Sequence, residues 1–389
     1  MLYKKTLTLV AVALCLLCSS GPVLAETNGV TDKEIVVATI QDLSGPIAFI
    51  GKTTYQGIKM RIDEANEAGG IHGRKIRLLV EDHGYDPKKN LLATQKLIQK
   101  EGVFAIVGTI GTPTNMAALP IIVENEVFNL FPLSAHTAMY EPVNDFKYAH
   151  AVTNRAGIRL ALKHMVESGG YSKPGSIYQD DEYGHDVYNG FKDAIKELGL
   201  TPCEVTTYKR GTTDFSSQVA KLKAAGCDLV VLGATVREPV VIIKEANKQG
   251  FKTTFLGGTA SMTPLVHKLG GADVEGFYAL SQFIQPYADT ADKNQKAWFE
   301  SYVERFGSEP DTYTIWGYIG ASLFVKALEK TGADLTKDNF IKAMNSLSYG
   351  PDIFKAEYKY SKDNHLGVSG VRVMQIKNGR WGSVSDMLR

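Results

Sequence analysis

Along the chain, short runs of β-branched residues alternate with longer stretches whose apolar positions recur every three to four residues. The run 35–40 predicts a strand, 54–68 a helix closed by Gly69 and Gly70, and 75–81 a second strand. Asp86 and Pro87 open the next helix, Asp as the cap and Pro at the first helical position, and Leu91, Leu92, Gln95 and Ile98 carry it to Gly102. Strand 104–107, helix 115–125 and strand 127–131 follow. After Tyr148 the rhythm restarts, with helices at 156–168, 184–198, 214–225 and 238–249 and strands at 175–179, 203–208, 228–232 and 254–256. This alternation predicts an α/β fold of two doubly wound parallel-sheet lobes. The tail breaks step. Segments 357–360 and 370–376 alternate in strand fashion, and Lys377-Asn378-Gly379-Arg380 is a hairpin-type turn, so an antiparallel addition to one lobe is expected.

Ahead of this pattern, Lys4 and Lys5, an apolar run over 7–17 and the small-residue site Val23-Leu24-Ala25 read as an export signal cleaved after Ala25. The run is shorter than the roughly 20 residues a membrane helix needs. Cys15 and Cys18 offer a lipid anchor as the competing reading, but Leu14 and Leu17 before them are larger than such a cleavage site takes. A secreted, periplasmic protein is expected. The chain carries 43 basic and 42 acidic residues; Lys4 and Lys5 leave with the leader, so 41 face 42 and the mature net charge is −1. No basic excess recommends nucleic acid or an anionic membrane as partner. Cys203 and Cys227 remain after processing. Each precedes a strand, with one helix between, and adjacent parallel strands start at the same sheet edge, which puts a disulfide within reach; the other reading is two buried thiols.

In open parallel sheets, ligands bind beyond the carboxyl ends of the strands. The loops there are 42–46, 108–114 and 132–137 in the first lobe and 180–184, 233–235 and 257–260 in the second. They are rich in Gly, Ser and Thr, and offer hydroxyls and free N–H groups at helix starts, which suit a carboxylate. One such loop alone would be ordinary capping; several at one edge point to a site. The segment 45–53 nearly reads as a phosphate-binding loop but has five residues between its glycines instead of four. His83, His136, His150, His164 and His185 form no H-E-x-x-H or Cys/His cluster, and no G-x-S-x-G occurs. Neither a metal site nor a catalytic nucleophile is expected, and Asp82 with Asp86 reads as a polar turn before a helix cap.

The motifs IVVATI at 35–40, LSGPIAFIG at 43–51, NEAGGIHGR at 66–74, VGT at 107–109, DEYG at 181–184, DFSS at 214–217 and CDLVV at 227–231 occur in one order. In that order they resemble the periplasmic leucine/isoleucine/valine-binding protein family over essentially the whole mature chain. The resemblance implies a type I substrate-binding protein of an ABC importer, without a cofactor. Two lobes joined by three crossings would close on a small solute and hand it, as a monomer, to permease subunits in the inner membrane. The crossings fall near 148–152, 276–280 and 346–350, giving one lobe of 26–148 with 280–348 and another of 149–279 with 349–389.

Carried over by position, the carboxylate-binding hydroxyl falls on Thr112 beside Gly111, and the second carboxylate loop on Leu133, Ser134 and Ala135. The tyrosine that faces the ligand's amino group falls on Tyr183. Three positions change character: Ile50, with Phe49 beside it, replaces an aromatic, Thr235 a tyrosine, and Thr259 the acid that pairs with the α-ammonium. An ammonium buried without a carboxylate costs several kcal/mol. Either Asp180, Asp181 or Glu238 takes that role and the ligand is a branched-chain or related amino acid, or the ligand is an aromatic or other carboxylate lacking the ammonium. Trp316 and Tyr318 are candidates for an apolar wall. The same fold can also serve a ligand sensor.

Overall fold

All but the first residue of β1 (Glu34–Gln41) are buried, as a strand covered on both faces requires. In this computed structural model, which describes residues 27–289, 291–368 and 370–389, α1 (Ala48–Glu67) follows, then β2 (Lys75–Asp82), α2 (Pro87–Gln99), β3 (Ala105–Val107), α3 (Thr112–Glu124), β4 (Phe128–Leu130) and β5 (Lys147–Tyr148). The expected leader, with its cleavage site and Cys15 and Cys18, lies outside the described residues. The five strands form a parallel sheet in the order β2-β1-β3-β4-β5, with β1 and β2 in register from Glu34 opposite Lys75 to Gln41 opposite Asp82.

The second lobe repeats that order. It comprises α4 (Asn154–Gly169), β6 (Pro174–Gln179), α5 (Glu182–Leu198), β7 (Val205–Tyr208), α6 (Ser216–Ala225), β8 (Leu229–Gly233), α7 (Arg237–Lys248), β9 (Thr254–Gly257), α8 (Pro264–Gly270) and β10 (Tyr278–Ser281). Its parallel strands run β7-β6-β8-β9-β10, the same winding as the first sheet. Then come α9 (Lys293–Phe306), α10 (Thr312–Thr331), α11 (Lys337–Met344), a small ribbon of β11 (Ser348–Tyr349) and β12 (Tyr358–Lys359), and the hairpin β13 (Arg372–Lys377) and β14 (Arg380–Ser383). The hairpin adds to β10 antiparallel. Asn378 and Gly379, at φ 53° and 68°, make the tight turn that the tail pattern predicts.

Local chemistry explains the boundaries. Asp86 accepts the N–H groups of Lys88 and Lys89 at 2.7 and 3.3 Å and so starts α2. The first helix starts at Ala48 rather than at 54, because the Asp42 carboxylate accepts from Gly45 and Ile47 at 2.5 and 2.8 Å and turns the chain straight into helix. α1 and α10 cross closely at two glycines. A Cβ on Gly57 would lie 2.0 Å from the Thr314 carbonyl, and one on Gly317 2.2 Å from that of Thr54.

We place two of the crossings later along the chain than the resemblance implies. β10 lies wholly in the second sheet, so we place the second crossing after Ser281. Beyond β11 the chain stays on the first crossing: the Tyr360 hydroxyl donates to the Ala149 carbonyl at 3.0 Å and His365 stacks on Tyr148. We place the third crossing between 366 and β13. Cys203 and Cys227 are joined as a disulfide, with Cα atoms 5.6 Å apart. Their strands are not neighbours, as the sequence suggested, since β6 lies between β7 and β8. The bridge passes over β6 at Gly175, where a Cβ would sit 2.8 Å from the Cys227 sulfur.

Candidate ligand-binding cleft

The carboxyl ends of the strands in both sheets deliver their loops to one inter-lobe cleft. Pairing of β3 with β4 continues past the strands through a parallel bridge between Ile110 and Leu133. The Gly111 N–H donates to the Leu133 carbonyl at 3.1 Å, and the Leu133 N–H to that of Thr109 at 2.9 Å. The two loops expected to hold a carboxylate are thereby fixed side by side. Gly111 caps α3 at φ 98°, and a Cβ there would meet the Tyr85 ring at 2.6 Å. Pro113 has no N–H, but those of Thr112 and Thr114 have no carbonyl one turn before them, and the helix dipole makes that end favourable to an anion. The Ser134 hydroxyl donates to the Thr112 hydroxyl oxygen at 3.1 Å.

The second lobe supplies the opposite wall. Asp181 caps α5 by accepting from Tyr183 and Gly184 at 3.1 and 3.2 Å, which seats Tyr183 in the first turn. The Tyr183 hydroxyl donates to the Ala234 carbonyl at 2.9 Å, so its proton is not offered to a ligand. The Thr235 hydroxyl donates to Glu238 Oε2 at 2.9 Å. Contacts between the lobes close the cleft. Tyr313 on α10 donates to the Ala260 carbonyl at 2.5 Å, and Thr263 to Asp311 Oδ2 at 2.6 Å. Arg210 donates to the Tyr85 carbonyl at 3.1 Å, sits 4.6 Å over the Tyr85 ring, and holds Asp181 at 2.8 Å. The cavity between the lobes measures about 70 Å³.

Ile50, Gly111, Thr112, Leu133, Ser134, Ala135, Tyr183, Thr235 and Thr259 all line this cavity, and so does Trp316. Tyr318 does not. Two positions further along α10, it points away and donates to Glu64 Oε2 at 2.8 Å. Phe49 is 41% exposed and lies outside the lining. Sequence reasoning missed Tyr85, Asn154 and Tyr313, which also line the cavity. The phenols of Tyr85, Tyr183 and Tyr313 are pushed up by burial and remain neutral. Behind the wall, His150 packs edge-on to Trp316 with ring centroids 5.1 Å apart, and burial pushes its imidazole down to about 3.

No charged side chain lines the cavity among the described residues. The three acids considered as ammonium partners are otherwise engaged. Asp180 faces His185 at 3.1 Å and is half exposed, Asp181 serves Arg210 and the α5 cap, and Glu238 takes the Thr235 proton. The site therefore offers hydroxyls, an amide, a helix N-terminus and apolar walls.

A family profile described as periplasmic binding protein matches residues 34–380. A Leu/Ile/Val-binding protein homolog of Brucella abortus is 26% identical over 365 residues, covering 89% of each chain. The solved fatty acid ABC transporter substrate-binding protein from Thermomonospora curvata superposes with a TM-score of 0.84 at 26% identity, over 93% of this chain and 94% of that one. An R. palustris solute-binding protein of an ABC transporter, solved in complex with benzoate, gives a TM-score of 0.80 at 18% identity, over 90% of this chain and 95% of that one. With two like-wound lobes closed on one cavity and these matches along nearly its whole described length, the chain belongs to the periplasmic binding protein family, as a solute-binding protein of the leucine/isoleucine/valine-binding type.

Proposed function

We propose that the protein captures a small apolar carboxylate lacking an α-ammonium, aromatic or aliphatic, and delivers it to the permease subunits of an ABC importer. The observation that carries this reading is the uncharged lining of the closed cavity. A carboxylate entering it meets the N-terminus of α3 and the Thr112 hydroxyl, which offset the cost of burying a negative charge. An ammonium would meet no carboxylate, and its burial would cost several kcal/mol. The relatives' names span both chemistries, since one is named for leucine, isoleucine and valine and another for fatty acids.

The amino-acid reading keeps one specific support: Glu238, bonded to Thr235, stands one residue behind the lining. A thermal-shift panel on the ligand-stripped mature protein separates the two. A ligand at 100 times its Kd stabilises by about 2.7 kcal/mol, which is readily seen as a shift in Tm. Apolar monocarboxylates are expected to raise Tm while leucine, isoleucine and valine leave it unchanged. A shift with the three amino acids and none with the simple acids would return the assignment to amino-acid capture with Glu238 as the ammonium partner.

A further inference from the structure

Asn154 opens α4 at the first crossing, is 1% exposed and lines the cavity. Both atoms of its carboxamide, Oδ1 and Nδ2, are buried without a hydrogen-bond partner. Buried amides are almost always paired, so this one is built to meet something that enters the cleft. Its position relative to the carboxylate loops is fixed: the Asn154 N–H donates to the Ala135 carbonyl at 2.7 Å. On its other side a Cβ on Gly258 would lie 3.4 Å from Asn154 Oδ1 and 3.7 Å from the Tyr183 hydroxyl, so amide and phenol converge beside the loop that carries Thr259.

Three hydroxyls of the same lining already use their O–H as donors. Tyr183 donates to Ala234, Tyr313 to Ala260 and Thr235 to Glu238, and each of these oxygens can now only accept. Asn154 adds one acceptor and one donor, whichever way the amide is turned. The buried acid Asp186 accepts the neighbouring Arg155 N–H at 3.1 Å and is not part of the lining. A ligand group that both gives and takes a hydrogen bond satisfies both atoms of the Asn154 amide. A hydroxyl does both. An ammonium only donates and leaves Nδ2 unmet, a carbonyl only accepts, and a methylene does neither.

We propose that Asn154 reads a hydroxyl next to the ligand's carboxylate, so that the solute is a 2-hydroxy acid with an apolar tail; this rests on the reading of the cleft as a site for a carboxylate without an ammonium. Calorimetric titration with 4-methylpentanoate, its 2-hydroxy and 2-oxo derivatives and leucine, and with the same four forms of 3-phenylpropanoate, tests it on the wild type, Asn154→Ala and Asn154→Leu. On the better-fitting tail, the wild type should bind the 2-hydroxy acid about tenfold tighter than the unsubstituted acid, with the 2-oxo acid between. Both variants should bind the hydroxy acid no more than about threefold better than the unsubstituted acid, the preference being a lost pair of hydrogen bonds. Equal binding of hydroxy and unsubstituted acids by the wild type overturns the proposal, with or without folded variants, and so does a preference that survives both substitutions. Tightest binding of the amino acid overturns the underlying reading instead, and binding of none of the eight overturns both.

Discussion

The Thr112 hydroxyl oxygen accepts a hydrogen bond from Ser134 at 3.1 Å, which leaves its own O–H to donate to a ligand oxygen. Thr112→Val keeps the shape and removes that donor. We expect it to weaken binding of a carboxylate by about 1–3 kcal/mol in calorimetry, with the unliganded Tm nearly unchanged. The Thr112 and Ser134 loops were legible in the sequence because their residues are contiguous and sit where strands end. Tyr85, Asn154 and Tyr313 were not, because nothing near them in sequence marks them. They reach the cavity through the register of one lobe on the other, as when Arg210 takes the Tyr85 carbonyl. Tyr183 was legible as a position, but its hydrogen bond to the Ala234 carbonyl was not, since that carbonyl belongs to a different loop.

At the scale of elements, the α1–α10 crossing sets one side of the cleft, because Ile50 rides on α1 and Tyr313 and Trp316 on α10. Gly57→Ala would force the helices apart against the Thr314 carbonyl. Overpacking of this kind costs about 1–3 kcal/mol or more, and we expect a lower Tm together with weaker ligand binding. Replacing Cys203 and Cys227 together by serine opens a loop with a sequence separation of 24. The chain-entropy account puts the loss at about 3 kcal/mol, measurable by denaturant unfolding, with affinity unchanged because the bridge lies away from the lining. Strand and helix order was readable from periodicity throughout. The buried face of α2 was not: Leu92 is 65% exposed, whereas Asn90 and Thr94 are buried because Asn90 bonds the Thr114 carbonyl. Nor could spacing reveal that β6 separates the two cysteine strands, since strand order depends on how the crossovers wind.

At the scale of the whole molecule, buried titratable groups set the response to pH. Burial holds the imidazoles of His83, His136, His267 and His365 below the usual range, and that of His150 down at about 3. Each folded imidazole refuses a proton that the unfolded chain accepts, so this stability is complete above about pH 6.5 and is lost as pH falls below it. Burial pushes the carboxyls of Asp186 and Asp311 the other way, to about 6. They take up protons in the folded state first and return part of the stability between about pH 6 and 4. We expect the unfolding free energy to fall as pH drops through 6.5, and His150→Gln to flatten that slope by up to about 1.4 kcal/mol per pH unit. The two-lobed plan was readable from the restart of the pattern after Tyr148. We place the second and third crossings later than the resemblance implies, because the chain runs on along β10 and along the Tyr360 segment. The central claim, that the cavity takes a carboxylate and its lining holds no carboxylate partner for an ammonium, is tested most directly by calorimetric titration of the ligand-stripped protein with matched acid and amino-acid pairs. The pairs are 4-methylpentanoate with leucine and 3-phenylpropanoate with phenylalanine, and the methyl esters of the two acids serve as controls. At least one acid should bind, with its amino-acid partner and its ester each at least about a hundredfold weaker, as the cost of burying an unpaired ammonium or losing the carboxylate contacts requires. Amino acids that bind as tightly as their acids, or tighter, would contradict it.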